Sequence, residues 1–133
     1  MNLAYTSDEE FIRRLTEMVE TNLENENFGV NGLVLQTGLS DHLVRKRIKT
    51  ILKKTISQFI SEIRLNRALN LLQQSTVTAS EVAYSVGFGS PSYFITCFHR
   101  HFGYPPGEAR KLYLSRQVTD GPDENGNGLA DRC

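Results

Sequence analysis

The chain carries an internal repeat displaced by about fifty positions, and this repeat constrains the fold more than any other feature. A compact or β-branched residue, Val34 in one copy and Ala83 in the other, stands four places before a glycine, Gly38 or Gly87. A serine suited to helix capping follows, Ser40 or Ser90. From each serine, apolar residues fall at plus four, plus eight and plus twelve: Val44, Ile48 and Leu52, then Phe94, Phe98 and Phe102. The compact residue lets two helices approach, the glycine accepts the positive φ of a sharp turn, and the apolar series pins one face of the second helix. Each copy therefore predicts a helix-turn-helix.

The intervening segments read as helix too. Ser7-Asp-Glu-Glu10 has the form of a capping box ahead of Phe11, Ile12, Leu15, Val19 and Leu23, so the spacing predicts a first helix from about Asp8 to Glu24. Asn31 is placed to cap a short helix ending at Thr37, and Ser40 the one after it. Residues 57–74 hold Phe59, Ile60, Ile63, Ala68, Leu69 and Leu72 without Gly or Pro, which predicts a connecting helix about 27 Å long at 1.5 Å per residue. Thr78 or Ser80 opens the next helix, Ser90-Pro91 the one that Gly103 stops, and Pro105-Pro106 a last short one. No alternating apolar run calls for a strand.

The expected fold is all-α: two helix-turn-helix subdomains joined by a long connecting helix, about seven helices in all. Residues 1–6 form an N-terminal extension, 7–56 the first subdomain, 57–74 the connector, 75–114 the second subdomain, and 115–133 an acidic Gly/Asn-rich tail expected to be disordered.

Formal net charge is zero, which taken alone counts against a nucleic-acid partner. The distribution reverses that reading. Residues 1–40 set Arg13 and Arg14 against seven carboxylates, whereas residues 41–67 set Arg45, Lys46, Arg47, Lys49, Lys53, Lys54, Arg64 and Arg67 against Asp41 and Glu62. A basic centre between acidic flanks suits a protein that turns one face to an anion.

Burying one face of each second helix leaves the other to solvent. On the first, that outer stripe is His42, Arg45, Lys46 and Lys49; on the second it is Ser92, Thr96, His99 and Arg100, with Tyr93 beside them. A helix laid in the major groove reaches base edges with its N-terminal residues and phosphates with those farther along. His42, Arg45, Lys46, Ser92, Tyr93 and Thr96 are therefore base-reading candidates, and Ser40, Arg47, Lys49, Lys53, Lys54, Ser90, His99 and Arg100 phosphate candidates. The partner implied is double-stranded promoter DNA. The alternative is a helical protein-interaction module whose basic stripe and Tyr93 bind an acidic partner.

Enzymatic and metal chemistry find little support. No Gly-rich phosphate loop, nucleophile elbow or paired acidic motif occurs, so no catalytic residue and no cofactor is assigned. Cys97 falls between Phe94 and Phe98, the place of a core thiol, and Cys97 and Cys133 lack the CxxC spacing of a zinc site. His42, His99 and His101 have no convergent metal-ligating partner in the sequence. In the tail, Asp123, Asn125, Asn127, Gly128 and Asp131 match positions one, three, five, six and nine of a calcium loop. The glutamate required at twelve and a preceding helix are missing, so a solvated tail is the expectation. No apolar run approaches the roughly 20 residues that cross a bilayer, and Met1–Glu10 lacks a secretory pattern, which points to the cytoplasm.

From about Phe11 to Lys111 the chain resembles the DNA-binding domain of AraC/XylS-type transcription regulators. The motifs are Ser80-Glu-Val-Ala83, Val86-Gly-Phe88, Ser90-Pro-Ser-Tyr-Phe94, Cys97-Phe98, Phe102-Gly103 and Pro105-Pro106, with Arg64-Leu65, Ala68 and Leu71-Leu72 in the connector. The resemblance implies seven helices, of which the third and sixth enter adjacent major-groove segments. The chain departs from the family pattern at Val34, at Lys53 where a glycine is usual, at Ile56 where a proline is usual, at Thr96 where a base-reading cation is common, and at Ala109 where an aromatic is common. Phe88–Tyr93 and Gly103–Gly107 are similar to output domains of hybrid two-component regulators of carbohydrate-use genes. That likeness implies N-terminal sensor or receiver domains outside this segment and RNA polymerase as a further partner, while small stand-alone family members remain the alternative.

Overall fold

The computed structural model describes residues 2–74 and 76–112. Within them lie six α-helices: α1 (Asp8–Thr21), α2 (Val30–Thr37), α3 (Asp41–Leu52), α4 (Ile56–Gln74), α5 (Ala79–Ser85) and α6 (Pro91–Phe102). A 3-10 turn at Leu3–Tyr5 precedes them. Another at Pro106–Glu108 runs into a last helical turn at residues 109–112, the seventh helix expected. No strand occurs among the described residues.

Helix ends follow local chemistry, with four departures from expectation. α1 stops at Thr21, because Asn22 leaves helical geometry and its side-chain amide donates to the carbonyl of Met18. Ser7 caps it by accepting from the amide of Glu10 (3.1 Å), but the Glu10 carboxylate pairs with Arg13 and Arg14 instead of closing a capping box. The full box forms in the second unit, where Thr78 rather than Ser80 caps α5 and Glu81 reaches back. α2 begins behind Gly29, whose carbonyl accepts from the amide of Leu33 (3.0 Å), so Asn31 lies exposed within the first turn and caps nothing. Ser40 and Ser90 do cap α3 and α6, accepting from the amides of Leu43 (3.1 Å) and Tyr93 (3.2 Å). α4 starts one residue early, at Ile56, because Thr55 and Gln58 cap each other reciprocally.

Two cores lie along α4. Ile56, Phe59 and Ile60 join Leu3, Phe11, Leu15, Val19, Phe28, Leu33, Val44 and Ile48 in the first. Leu65, Ala68 and Leu72 join Val82, Ala83, Val86, Phe88, Phe94, Cys97, Phe98 and Ala109 in the second. The connector is thus the common wall of both units, and α1, α2, α3 and α5 all pack on it. The first core is mainly aliphatic. The second is threaded by aromatic contacts: Phe94–Phe98 at 5.6 Å, Phe98–Phe102 at 4.6 Å and Phe98–Tyr104 at 6.0 Å between ring centroids.

The repeat emerges as two turns that each place a glycine at positive φ. Gly38 takes φ +74° and Gly87 φ +91°. Lys53 ends α3 at φ +62°, in the left-handed region that a glycine usually occupies, so the departure from the family pattern there changes the residue and keeps the turn. Among the described residues no helix is long and apolar enough to cross a membrane. The calcium-loop candidates Asp123, Asn125, Asn127 and Asp131 lie outside the described residues.

Candidate nucleic-acid interface

The second helix of each repeat unit presents an exposed stripe. On α3, Val44 and Ile48 are fully buried while His42, Arg45, Lys46 and Lys49 are exposed. On α6, Phe94, Cys97 and Phe98 are fully buried while Ser92, Tyr93, Thr96, His99 and Arg100 are exposed, with Ile95 among them. The helical period therefore separates a packing face from an open face at each of these helices. His42, Arg45, Lys46 and Lys49 line a shallow groove together with Lys54, Thr55 and Ile56, which brings the start of α4 into the basic surface.

The cations differ in what already holds them. Arg45 pairs with Asp41 one turn earlier, both exposed, an arrangement that pre-orients the guanidinium at little energetic gain. Lys54 pairs with Glu62 at half-buried positions. Lys53 is exposed and its Nζ donates to the carbonyl of Thr50 at the end of α3 (3.1 Å). The hydroxyl oxygens of Ser40 and Ser90 accept as caps, which leaves each O–H to donate to an anion beside the first turns of α3 and α6.

Arg47 departs from its expected role as a phosphate contact. Its side chain is only 18% exposed and points to the interior. Nη1 donates to the carbonyl of Leu3 (3.3 Å), and Nη2 to the carbonyl of Thr6 (3.2 Å) and the carboxylate of Asp8 (2.8 Å). The guanidinium also stacks 4.1 Å from the centroid of Phe11. Position 47 lies three residues after the buried Val44, at the edge of the packing face, so a long cation there turns inward and fastens the N-terminal extension. That extension is part of the first unit, with Leu3 buried in its core.

Arg64, counted above within the basic centre, belongs to the interior as well, being 6% exposed. Sequence reasoning missed it, although Ile60, Arg64, Ala68 and Leu72 at intervals of four place it on the buried stripe of α4. Arg67 is exposed but lines a different groove, with Glu20 and Glu24. Among the described residues no group of three His, Cys, Asp or Glu side chains is arranged to hold a metal ion.

Two helix-turn-helix units sharing one long helix define the class: a double helix-turn-helix domain whose second helices, α3 and α6, each carry an open face. A family model described as a helix-turn-helix domain matches residues 33–112, and the chain belongs to that family as an AraC-type DNA-binding domain. A transcriptional regulator from Chromobacterium violaceum, described as containing an AraC-type DNA-binding domain, superposes with a TM-score of 0.70 at 26% identity, covering 83% of this chain and 94% of that one. The DNA-binding domain of the global transcriptional factor AdpA, solved with a target DNA, gives a TM-score of 0.71 at 24% identity over 81% of this chain and 96% of that one, a likeness of fold. Histidine kinase P4 of Formosa agariphila is 36% identical over 106 residues, 80% of this chain. The chain spans only 8% of that kinase's length.

Proposed function

We propose that this domain reads double-stranded promoter DNA with two helices, α3 and α6, laid in successive segments of the major groove. The observation that carries the reading is the duplicated stripe: each repeat buries an apolar face and leaves donor side chains exposed on the other. His42, Arg45, Lys46, Ser92, Tyr93 and Thr96 take base edges. Ser40, Lys49, Lys53, Lys54, Ser90, His99 and Arg100 take phosphates, and Arg47 leaves that set because its donors are committed to Leu3, Thr6 and Asp8.

Fixed cations on α3 give this unit the larger share of salt-dependent affinity, and α6 adds hydrogen-bonding and apolar contacts from Ser92, Tyr93 and Thr96. The function is regulation of transcription in the cytoplasm, with sensor or receiver domains preceding this segment and RNA polymerase as the responding machinery. The domain needs no catalytic residue for this task.

Selection of binding sites from random duplexes tests the proposal. It should return a bipartite motif with half-sites about one helical turn apart, and affinity should fall steeply with added salt. A pool with no enriched motif, or binding indifferent to salt, would overturn it in favour of a protein-interaction surface.

A further inference from the structure

The two-helix reading leaves one buried cation unexplained. Arg64 sits on α4 between Ile60 of the first core and Leu65 of the second. Nη1 donates to the carbonyls of Leu23 (2.7 Å) and Val86 (2.7 Å), and Nη2 to those of Phe28 (2.7 Å) and Asn25 (3.3 Å). Three of these carbonyls belong to the α1–α2 connection of the first unit; the fourth ends α5 at the turn of the second helix-turn-helix. Among the described residues no carboxylate forms an ion pair with Arg64. Burial lowers its pKa, yet a guanidinium stays protonated at any physiological pH, and among the described residues four carbonyl dipoles face this charge.

The turn is shaped to this contact. A Cβ on Gly87 would fall 1.4 Å from Arg64 Nη1 and 2.4 Å from the carbonyl oxygen of Leu23. Leu23, in the connection that follows α1, packs against the second core. A guanidinium is planar with its donors in a rigid fork, so acceptors gathered from two units satisfy it together in one relative arrangement. Sliding either unit would break short bonds and leave a buried charge without compensation.

We propose that Arg64 is a positioning residue for DNA reading. It fastens the α1–α2 connection to the α5–α6 turn, fixes the relative placement of α3 and α6, and so makes the domain selective for one separation between half-sites. This rests on the two-helix reading of the interface.

The test uses the full chain with spin labels at two exposed positions outside the proposed contacts, Thr50→Cys and Ile95→Cys, in a Cys133→Ser background. Pulsed electron resonance without DNA should give one narrow distance distribution, and Arg64→Gln or the milder Arg64→Lys should broaden it about twofold. In parallel, inserting one base pair between the selected half-sites should weaken the unsubstituted domain about tenfold, while the Arg64 variants should lose about threefold or less, from a lower starting affinity. A broad distribution in the unsubstituted protein, or its indifference to the insertion, overturns the proposal. So do variants that bind more weakly but keep the tenfold spacing preference, and so does failure of both variants to fold, which would reduce Arg64 to core support. If random-site selection yields no motif while the distance stays narrow and Arg64-dependent, the DNA reading fails and the joint stands.

Discussion

The two halves of this domain have the same backbone plan and nearly opposite chemistry. The first turns on Gly38, packs mainly aliphatic side chains and exposes Arg45, Lys46 and Lys49 on α3. The second turns on Gly87, packs linked aromatic rings and exposes a mostly neutral stripe on α6. A repeat of this kind specifies geometry through a few positions, namely the turn glycine, the capping serine and an apolar residue every four. It leaves the filling of the core and the charge of the open face to vary separately.

The sharpest break in the symmetry is at the turn glycines. Both have positive φ, but a Cβ at Gly38 meets nothing within 4 Å, whereas at Gly87 it meets Arg64 and the backbone of Leu23. Gly38→Ala should cost about 1–2 kcal/mol, the conformational term alone. Gly87→Ala should cost about 4 kcal/mol or more, because the carbonyl of Leu23 cannot swing aside. Urea unfolding of the two variants measures the difference; equal losses would mean that the joint at Gly87 adds nothing.

A smaller effect separates two arginines within α3. Arg47→Ala should lower stability by about 1–3 kcal/mol and leave the salt dependence of DNA binding unchanged, since its donors hold the N-terminal extension. Arg45→Ala should change stability by less than about 0.5 kcal/mol, because its pair with Asp41 is exposed. It should instead weaken specific binding by about 1–3 kcal/mol and relax selection at one base pair. Thermal melts and binding isotherms at several salt concentrations distinguish these outcomes.

The smallest effect compares the helix starts. Hydrogen bonds from Arg13, then Arg14, hold the Glu10 carboxyl below its ordinary value of 4.5. A folded-state pKa lower than the unfolded one gives stabilisation that is full above the ordinary value and lost as pH falls through the lowered one. Glu10→Gln should therefore melt slightly lower than the parent at pH 7, and the gap should close in acid as pH falls below 4.5 and through the lowered value. A constant gap across that range would trace the effect to something other than ionisation. Thr78→Ala, which opens a complete capping box on α5, should cost more, about 1 kcal/mol at pH 7 and in acid alike.

Most of the fold was legible because it rests on periodic signals. The apolar series at intervals of four, the capping serines and the turn glycines each report a local preference, and α3, α4 and α6 formed where those preferences agreed. Asn31 shows the limit: a good capping residue, passed over because the chain enters α2 two residues earlier, behind Gly29. At the interface, exposure of the two stripes followed from period alone. The fate of individual cations did not, since charge counts treat every Lys and Arg as solvated. Arg47 sits at the edge of a buried stripe and Arg64 in the middle of one, and both found carbonyl acceptors far away in sequence, at Leu3 and Thr6 or at Leu23, Asn25, Phe28 and Val86. Position on the helical wheel signalled that they would be buried. Only tertiary structure supplied the partners.

The joint at Arg64 has a consequence for how such a domain can diverge. All four of its acceptors are main-chain carbonyls, which every amino acid carries. A substitution at position 23, 25, 28 or 86 that its own core tolerates therefore keeps the acceptor, and the joint itself demands no matching change at 64. If Arg64 sets the separation of α3 and α6 as proposed, their exposed faces can be rewritten one residue at a time without disturbing it.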